Sequence, residues 1–211
     1  MDSPILILLA GGKSKRMGSP KGLLDYHGSP WILEQIGRYK HLKKPMIYIG
    51  LGYDYKLYLD AIPWFNKALE NSYSFDGVEV KVIINHQPQL GPFSTLQTIL
   101  NIIDTKSTII VQPIDVPLLN KEDLAILIKE DNIIVIPTCN AKNGHPVKLK
   151  PEFWDTLLTK NASNNKSRLD TQIKLCDTSS VSYVKVKDIS IYQNINTINK
   201  WFNFIENKSI F

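Results

Sequence analysis

An apolar run, Ile5-Leu6-Ile7-Leu8-Leu9, passes directly into Ala10-Gly11-Gly12 and then into four cations, Lys13, Lys15, Arg16 and Lys21, within nine residues. A short continuous apolar run that ends at glycine reads as a strand buried on both faces, as in a parallel sheet covered by helices. Glycine lacks a Cβ, so the backbone can approach a ligand and present its N–H groups. Cationic side chains then neutralise oxygens that backbone donors alone cannot. The order strand, glycines, cations predicts a loop that meets a polyphosphate; a surface turn with solvated lysines is the plainer alternative, and the position after the first buried strand argues against it.

The loop is not one of the commoner phosphate binders. A Walker A loop would need glycine at position 7, which is isoleucine, and the dinucleotide fingerprint would need glycine where Lys13 stands. At 211 residues the chain suits one α/β domain, here expected to span 1–211, and 43% hydrophobic with 21% charged residues is ordinary for a globular protein. A net charge of +5 favours anionic ligands but is too small to imply nucleic acid, and no arginine–aromatic stripe points that way. Cys139 and Cys176 lie far apart, and the four histidines show no H-x-x-x-H spacing, so a zinc site has little support. The first apolar run is too short for a signal-peptide core or a membrane span, and a cytoplasmic protein is the expectation.

Strand and helix signals alternate. Strands are predicted at Ile5–Ala10, Met46–Ile49, Glu79–Ile84, Thr108–Val111, Ile133–Ile136, His145–Leu149 and Val181–Val186. Between them, helices are predicted from Pro30, Asp54, Phe93, Asn120, Pro151 and Ile198, with Gly22–Leu24 short and extended and Asn71–Gly77 as loop. Such a rhythm predicts an α/β, three-layer, mostly parallel sheet with helices on both faces. Ligands of such sheets bind beyond the carboxyl ends of the strands, which places the glycine loop and the turn at Asp115 on one edge.

Asp115 ends a buried strand and is bracketed by Pro113 and Pro117, so its carboxylate sits on a stiffened turn. Locally this suits a Mg²⁺ ligand and a turn-forming aspartate equally. Asn194-Ile195-Asn196-Thr197 precedes the last helix, which Asn196 could cap through its side-chain oxygen. His145 follows the turn Asn143-Gly144 and reads either as an imidazole presented to a ligand or as packing against the sheet, with Lys148 and Lys150 as phosphate-binding or solvated lysines. Asn85, Gly91 and Ser94 bracket a helix start, whose unpaired N–H groups suit a base or a phosphate; Ser94 also reads as a simple cap.

The segment Leu9-Ala10-Gly11-Gly12-Lys13-Ser14-Lys15-Arg16-Met17-Gly18-Ser19-Pro20-Lys21 resembles the N-terminal signature of the MobA-like nucleotidyltransferases, Leu-Ala-Gly-Gly-x-Ser-x-Arg-Met-Gly-x-x-Lys, with every fixed position filled. That family includes the molybdenum-cofactor guanylyl- and cytidylyltransferases. The resemblance implies a Rossmann-like fold of the nucleotide-diphospho-sugar transferase type and transfer of a nucleoside monophosphate from GTP or CTP to a phosphorylated acceptor, molybdopterin first, with pyrophosphate released. It implies nucleotide binding by Leu9, Ala10, Gly11, Gly12, Lys13, Ser14, Arg16, Lys21, Asn85, Gly91 and Ser94, catalysis by Arg16, Lys21 and Asp115, and acceptor binding by His145 and Lys148. Asp115-Val116-Pro117 matches the family's Asp-x-Pro, whose aspartate holds Mg²⁺; Asn194 and Asn196 stand where the family completes the metal site. There the chain departs from the pattern, with Ile198 and Asn199 replacing the usual proline and acidic residue. The expected partners are an NTP and a small phosphorylated acceptor, not nucleic acid or membrane, with the chain a monomer or small homo-oligomer. A sugar- or polyol-phosphate acceptor, a catalytically weakened nucleotide-binding module and a Rossmann oxidoreductase are the competing readings.

Overall fold

Leu9, the last residue of the first strand, lies between Gly50, one residue short of the end of one parallel neighbour, and Pro113, the last residue of the other. This register aligns three strand termini on one edge. The computed structural model describes residues 3–208, so the two ends of the expected 1–211 domain lie outside it. In chain order the elements are β1 (Ile5–Leu9), β2 (Asp25–Tyr26), β3 (Ser29–Pro30), α1 (Trp31–Gly37), β4 (Met46–Leu51), α2 (Tyr55–Ala61), α3 (Phe65–Glu70), β5 (Tyr73–Phe75), β6 (Val78–Ile84) and α4 (Pro92–Leu100). They continue with β7 (Ile109–Pro113), α5 (Lys121–Lys129), β8 (Ile134–Cys139), β9 (Lys142–Asn143), β10 (Val147–Leu149), α6 (Pro151–Leu157), α7 (Leu169–Lys174), β11 (Val181–Lys185) and α8 (Ile198–Lys208).

The main sheet runs β11-β8-β10-β7-β1-β4-β6-β5, with β9 attached to β8. Its centre, β7-β1-β4-β6, is parallel, as is β8-β11. The chain winds from β1 outward to β4 and β6, then returns to place β7 on the other side of β1. The crevice between β1 and β7 is therefore the switch point of the sheet, the place where open α/β folds bind ligands.

Alternation along the strands divides the core. Leu6, Leu8, Ile47, Ile49, Val80 and Ile110 face α1, α2, α3, α5 and α8, whereas Ile7, Ile109, Val111, Ile134 and Leu149 face α4, α6 and α7. Each such side chain, fully withdrawn from water, contributes about 2 kcal/mol. The result is the expected three-layer α/β architecture. Asn120 caps α5 as the sequence predicts, its side-chain oxygen accepting the Asp123 N–H at 2.9 Å.

The elements differ from the sequence reading in four places. Lys21–Leu23 is a 3₁₀ turn, not an extended piece. Asn71–Gly77 contains the edge strand β5, hairpinned onto β6 through Asp76 and Gly77, both at positive φ. The helices α3 and α7 are too short, at six residues each, to show a period. The strand after His145 enters the sheet antiparallel, between β7 and β8.

Candidate active site

The glycine loop is seated on the end of β4. The Ala10 N–H donates to the Gly50 carbonyl at 2.8 Å, and the Tyr53 N–H donates to the Gly11 carbonyl at 3.2 Å. Gly11 is pressed against α4: a Cβ there would stand 3.0 Å from Thr95 Oγ1 and 3.3 Å from the Gly52 nitrogen. Beyond it Gly12, Lys13, Lys15 and Arg16 are exposed, with Met17 buried as the loop's anchor. The Lys13 ammonium lies over the Tyr53 ring, 4.9 Å from its centroid. Ser14 folds the loop. Its carbonyl accepts from the Met17 N–H at 2.8 Å, and its hydroxyl oxygen accepts from the Lys21 N–H at 3.2 Å.

Lys21 reaches across the switch point. Its ammonium donates to Asp115 Oδ2 at 3.0 Å and to Asn196 Oδ1 at 2.5 Å. Lys21, Asp115 and Asn196 therefore meet at one point, whereas Arg16 stays exposed on the loop. Neighbouring groups fix the Asp115 turn: Trp31 Nε1 donates to the Ile114 carbonyl at 2.9 Å, the Ile195 N–H donates to the Asp115 carbonyl at 2.8 Å, and the Gln112 amide donates to the Val116 carbonyl. Trp31 also packs edge-on against Trp201 of α8 at 5.4 Å, which ties the Asn194–Thr197 segment to the same centre. Asn194 is exposed and donates to the Tyr192 carbonyl at 3.4 Å.

Asp115 and Asn196 thus aim oxygens at a single cation. Mg²⁺ prefers oxygen ligands, commonly one or two carboxylates together with phosphate oxygens of the substrate. Among the described residues no cluster of three or more His, Cys, Asp or Glu side chains exists to cage a metal by itself. The donor set fits an ion that needs further oxygens from a bound ligand.

A crevice of about 760 Å³ opens beside this centre on the α4–α7 face, lined by Leu9, Gly91, Asp115, His145, Arg168 and Asn194 among others. His145 donates its backbone N–H to the Ile191 carbonyl at 2.8 Å. Burial holds its imidazole below the usual range, and its buried Nδ1 has no hydrogen-bond partner among the described residues. Arg168 and Lys174 supply positive charge at the crevice, Arg168 paired to Asp170 at 3.1 Å. Both were missed from sequence because they lie in a polar stretch without a motif.

Lys148 requires a correction. It sits near the opposite end of the strands, paired with Ile110 and Val135, and its ammonium donates to the Ile128 and Glu130 carbonyls at the end of α5. An amine spent on those orphan carbonyls caps a helix and does not enter the crevice. Asn85 and Ser94 are brought together, but their side chains meet each other. Asn85 Nδ2 donates to Ser94 Oγ at 2.8 Å and to Thr95 Oγ1 at 2.9 Å, while Asn85 Oδ1 accepts the Gln87 N–H at 2.8 Å. Ser94 in turn donates to the Gly91 carbonyl at 2.8 Å. These groups set the start of α4, and with it the wall against which Gly11 rests.

Comparison with known proteins agrees with this geometry. The MobA-like NTP transferase domain matches residues 6–174, most of the chain. A probable molybdenum cofactor guanylyltransferase of Clostridium perfringens is 26% identical over 215 aligned positions that cover 96% of each chain. Among solved structures, a nucleotidyl transferase from Methanothermobacter superposes with a TM-score of 0.70 at 16% identity, covering 98% of both chains. Molybdopterin-guanine dinucleotide biosynthesis protein A from Archaeoglobus fulgidus superposes with a TM-score of 0.67 at 18% identity, covering 98% of this chain and 100% of that one. The chain belongs to the MobA-like NTP transferase family and is a nucleotidyltransferase.

Proposed function

We propose that this chain transfers GMP from GTP to the terminal phosphate of molybdopterin, with Mg²⁺, and releases pyrophosphate. The observation that carries the chemistry is the meeting of Lys21, Asp115 and Asn196 at the β1–β7 switch point. The choice of GTP and molybdopterin is supported by the relatives: guanylyltransferase from Clostridium perfringens is similar along nearly its whole length.

In the reaction an anionic oxygen of the acceptor phosphate attacks the α-phosphorus. One P–O bond forms, and the bond to the bridging oxygen breaks with its electron pair leaving on pyrophosphate. The nucleophile is already deprotonated, so the chain need supply no general base; its work is positioning and charge neutralisation. Lys21 and Arg16, with the N–H groups of Gly11 and Gly12, would hold the triphosphate. Asp115 and Asn196 would hold Mg²⁺, which when bound neutralises charge on the phosphate oxygens. Arg168, Lys174 and His145 would receive the acceptor in the crevice.

A second reading keeps the acceptor and changes the base to cytosine. It is favoured by the segment Gly144-His145-Pro146-Val147, which resembles the cytidylyltransferase branch and borders the crevice. One experiment tests both: pyrophosphate release and nucleotide binding with GTP, CTP, ATP and UTP, each alone, with molybdopterin and with a sugar phosphate, in Mg²⁺. Turnover confined to GTP with molybdopterin supports the proposal. Preference for CTP replaces the base, turnover with a sugar phosphate instead replaces the acceptor, and nucleotide binding without turnover indicates a weakened module.

A further inference from the structure

Lys21 is the first residue of a 3₁₀ turn, so its own N–H and that of Gly22 have no partner within the turn. Both are nevertheless satisfied. The Lys21 N–H donates to Ser14 Oγ at 3.2 Å, and the Gly22 N–H donates to Tyr58 Oη at 3.1 Å. Tyr58 comes from α2, the helix that follows β4, and is 1% exposed in the core. The fit is tight: a Cβ on Gly22 would lie 2.8 Å from both Cε1 and Oη of Tyr58. Burial pushes the phenol's pKa up, so the group stays neutral and remains a hydrogen-bonding partner at any physiological pH.

Two consecutive N–H groups held by two fixed oxygens leave the backbone at Lys21 little freedom to turn. The direction in which its side chain leaves the turn is set there, and that side chain must span the switch point to reach Asp115. We propose that Tyr58 is a positioning residue for Lys21: its phenol oxygen pins the Gly22 amide and so aims the lysine at the triphosphate. Tyr58 is buried and does not line the crevice, and no motif in the sequence singles it out. The inference rests on the reading that Lys21 bears on the nucleotide phosphates.

A double-mutant cycle on the full chain tests it. Tyr58→Phe keeps the ring and deletes one oxygen; Lys21→Met removes the ammonium. The expected result is that Tyr58→Phe lowers kcat/KM for the preferred NTP about tenfold when Lys21 is present and less than twofold in the Lys21→Met background. The melting temperature should fall by the same amount in both backgrounds, because the lost hydrogen bond is the same. If the Lys21→Met chain is too slow to assay, the cycle is read in the affinity for a non-hydrolysable analogue of that NTP. An equal fall of kcat/KM or of analogue affinity in both backgrounds would show that Tyr58 serves the fold alone and overturn the proposal. Undiminished activity and affinity in Lys21→Met by itself would instead remove the role assigned to Lys21, and the positioning role with it.

Discussion

The Lys21 ammonium and the Asp115 carboxylate, separated by 94 residues of chain, lie 3.0 Å apart across the crevice between β1 and β7. Each is only partly exposed, at 15% and 20% of its side chain. One charge arrives on the loop after the first strand and the other on the turn after a strand that pairs with it. Their meeting follows from parallel register, since Leu9 and Pro113 are paired neighbours.

Replacing Asp115 with Asn should separate chemistry from fold. The partly solvated ion pair contributes about 1 kcal/mol at most, so the melting temperature should move by only a few degrees. Pyrophosphate release should fall by about 100-fold or more, as when a preorganised charge is removed from a transition state. Chelation of divalent metal should abolish turnover of the native chain, with Mg²⁺ restoring it. Near-normal turnover in Asp115→Asn would remove this residue from the mechanism.

Lys148→Met should leave the KM for the acceptor unchanged, because the Lys148 amine is engaged with the Ile128 and Glu130 carbonyls. Stability should fall instead, by about 1 kcal/mol, since two partly buried acceptors lose their donor. Denaturant titration measures the second effect and acceptor-dependent kinetics the first. A raised acceptor KM with unchanged stability would return Lys148 to the crevice.

His145 sets a pH dependence. Burial lowers its pKa in the native chain, with Asp115, the Val111 carbonyl and Asp170 acting weakly in the opposite direction. The unfolded chain then binds the proton more readily than the native one, so stability is lost as pH falls below the unperturbed value of 6.5. Urea midpoints measured at two pH values, one well above and one well below that point, should differ more for the native chain than for His145→Gln. Parallel shifts in the two proteins would show that other groups govern the acid limb.

Asn85→Ala should loosen the wall behind the glycine loop. It leaves Ser94 Oγ and Thr95 Oγ1 without their shared donor and the Gln87 N–H without its acceptor, at a cost of about 1–3 kcal/mol. Nucleotide affinity should weaken along with stability, because Gly11 rests on Thr95. Unchanged affinity in a destabilised variant would confine Asn85 to the fold.

Much of the site was legible because its parts are local. A glycine pair after an apolar run and an aspartate between two prolines each depend on neighbours in sequence, as does the Asn120 cap of α5 in the fold around them. Tyr58 and Trp31 were not legible, because each acts on a partner distant in the chain, and Arg168, whose partner is the nearby Asp170, lies in a polar stretch without a motif. The indole of Trp31 reaches Ile114, 83 residues away, and nothing in the tryptophan's own surroundings announces that bond.

Apolar runs and the breakers between them determined, by sequence alone, a layered α/β chain with a glycine- and cation-rich loop after its first strand. Covalent neighbours and side-chain period suffice for that. Only the tertiary structure decided which charges meet, since strand order and register bring Lys21 to Asp115 while they carry Lys148 to the far end of the same sheet. A side chain's type is written in the sequence, but the polar groups it must satisfy once buried are chosen by packing.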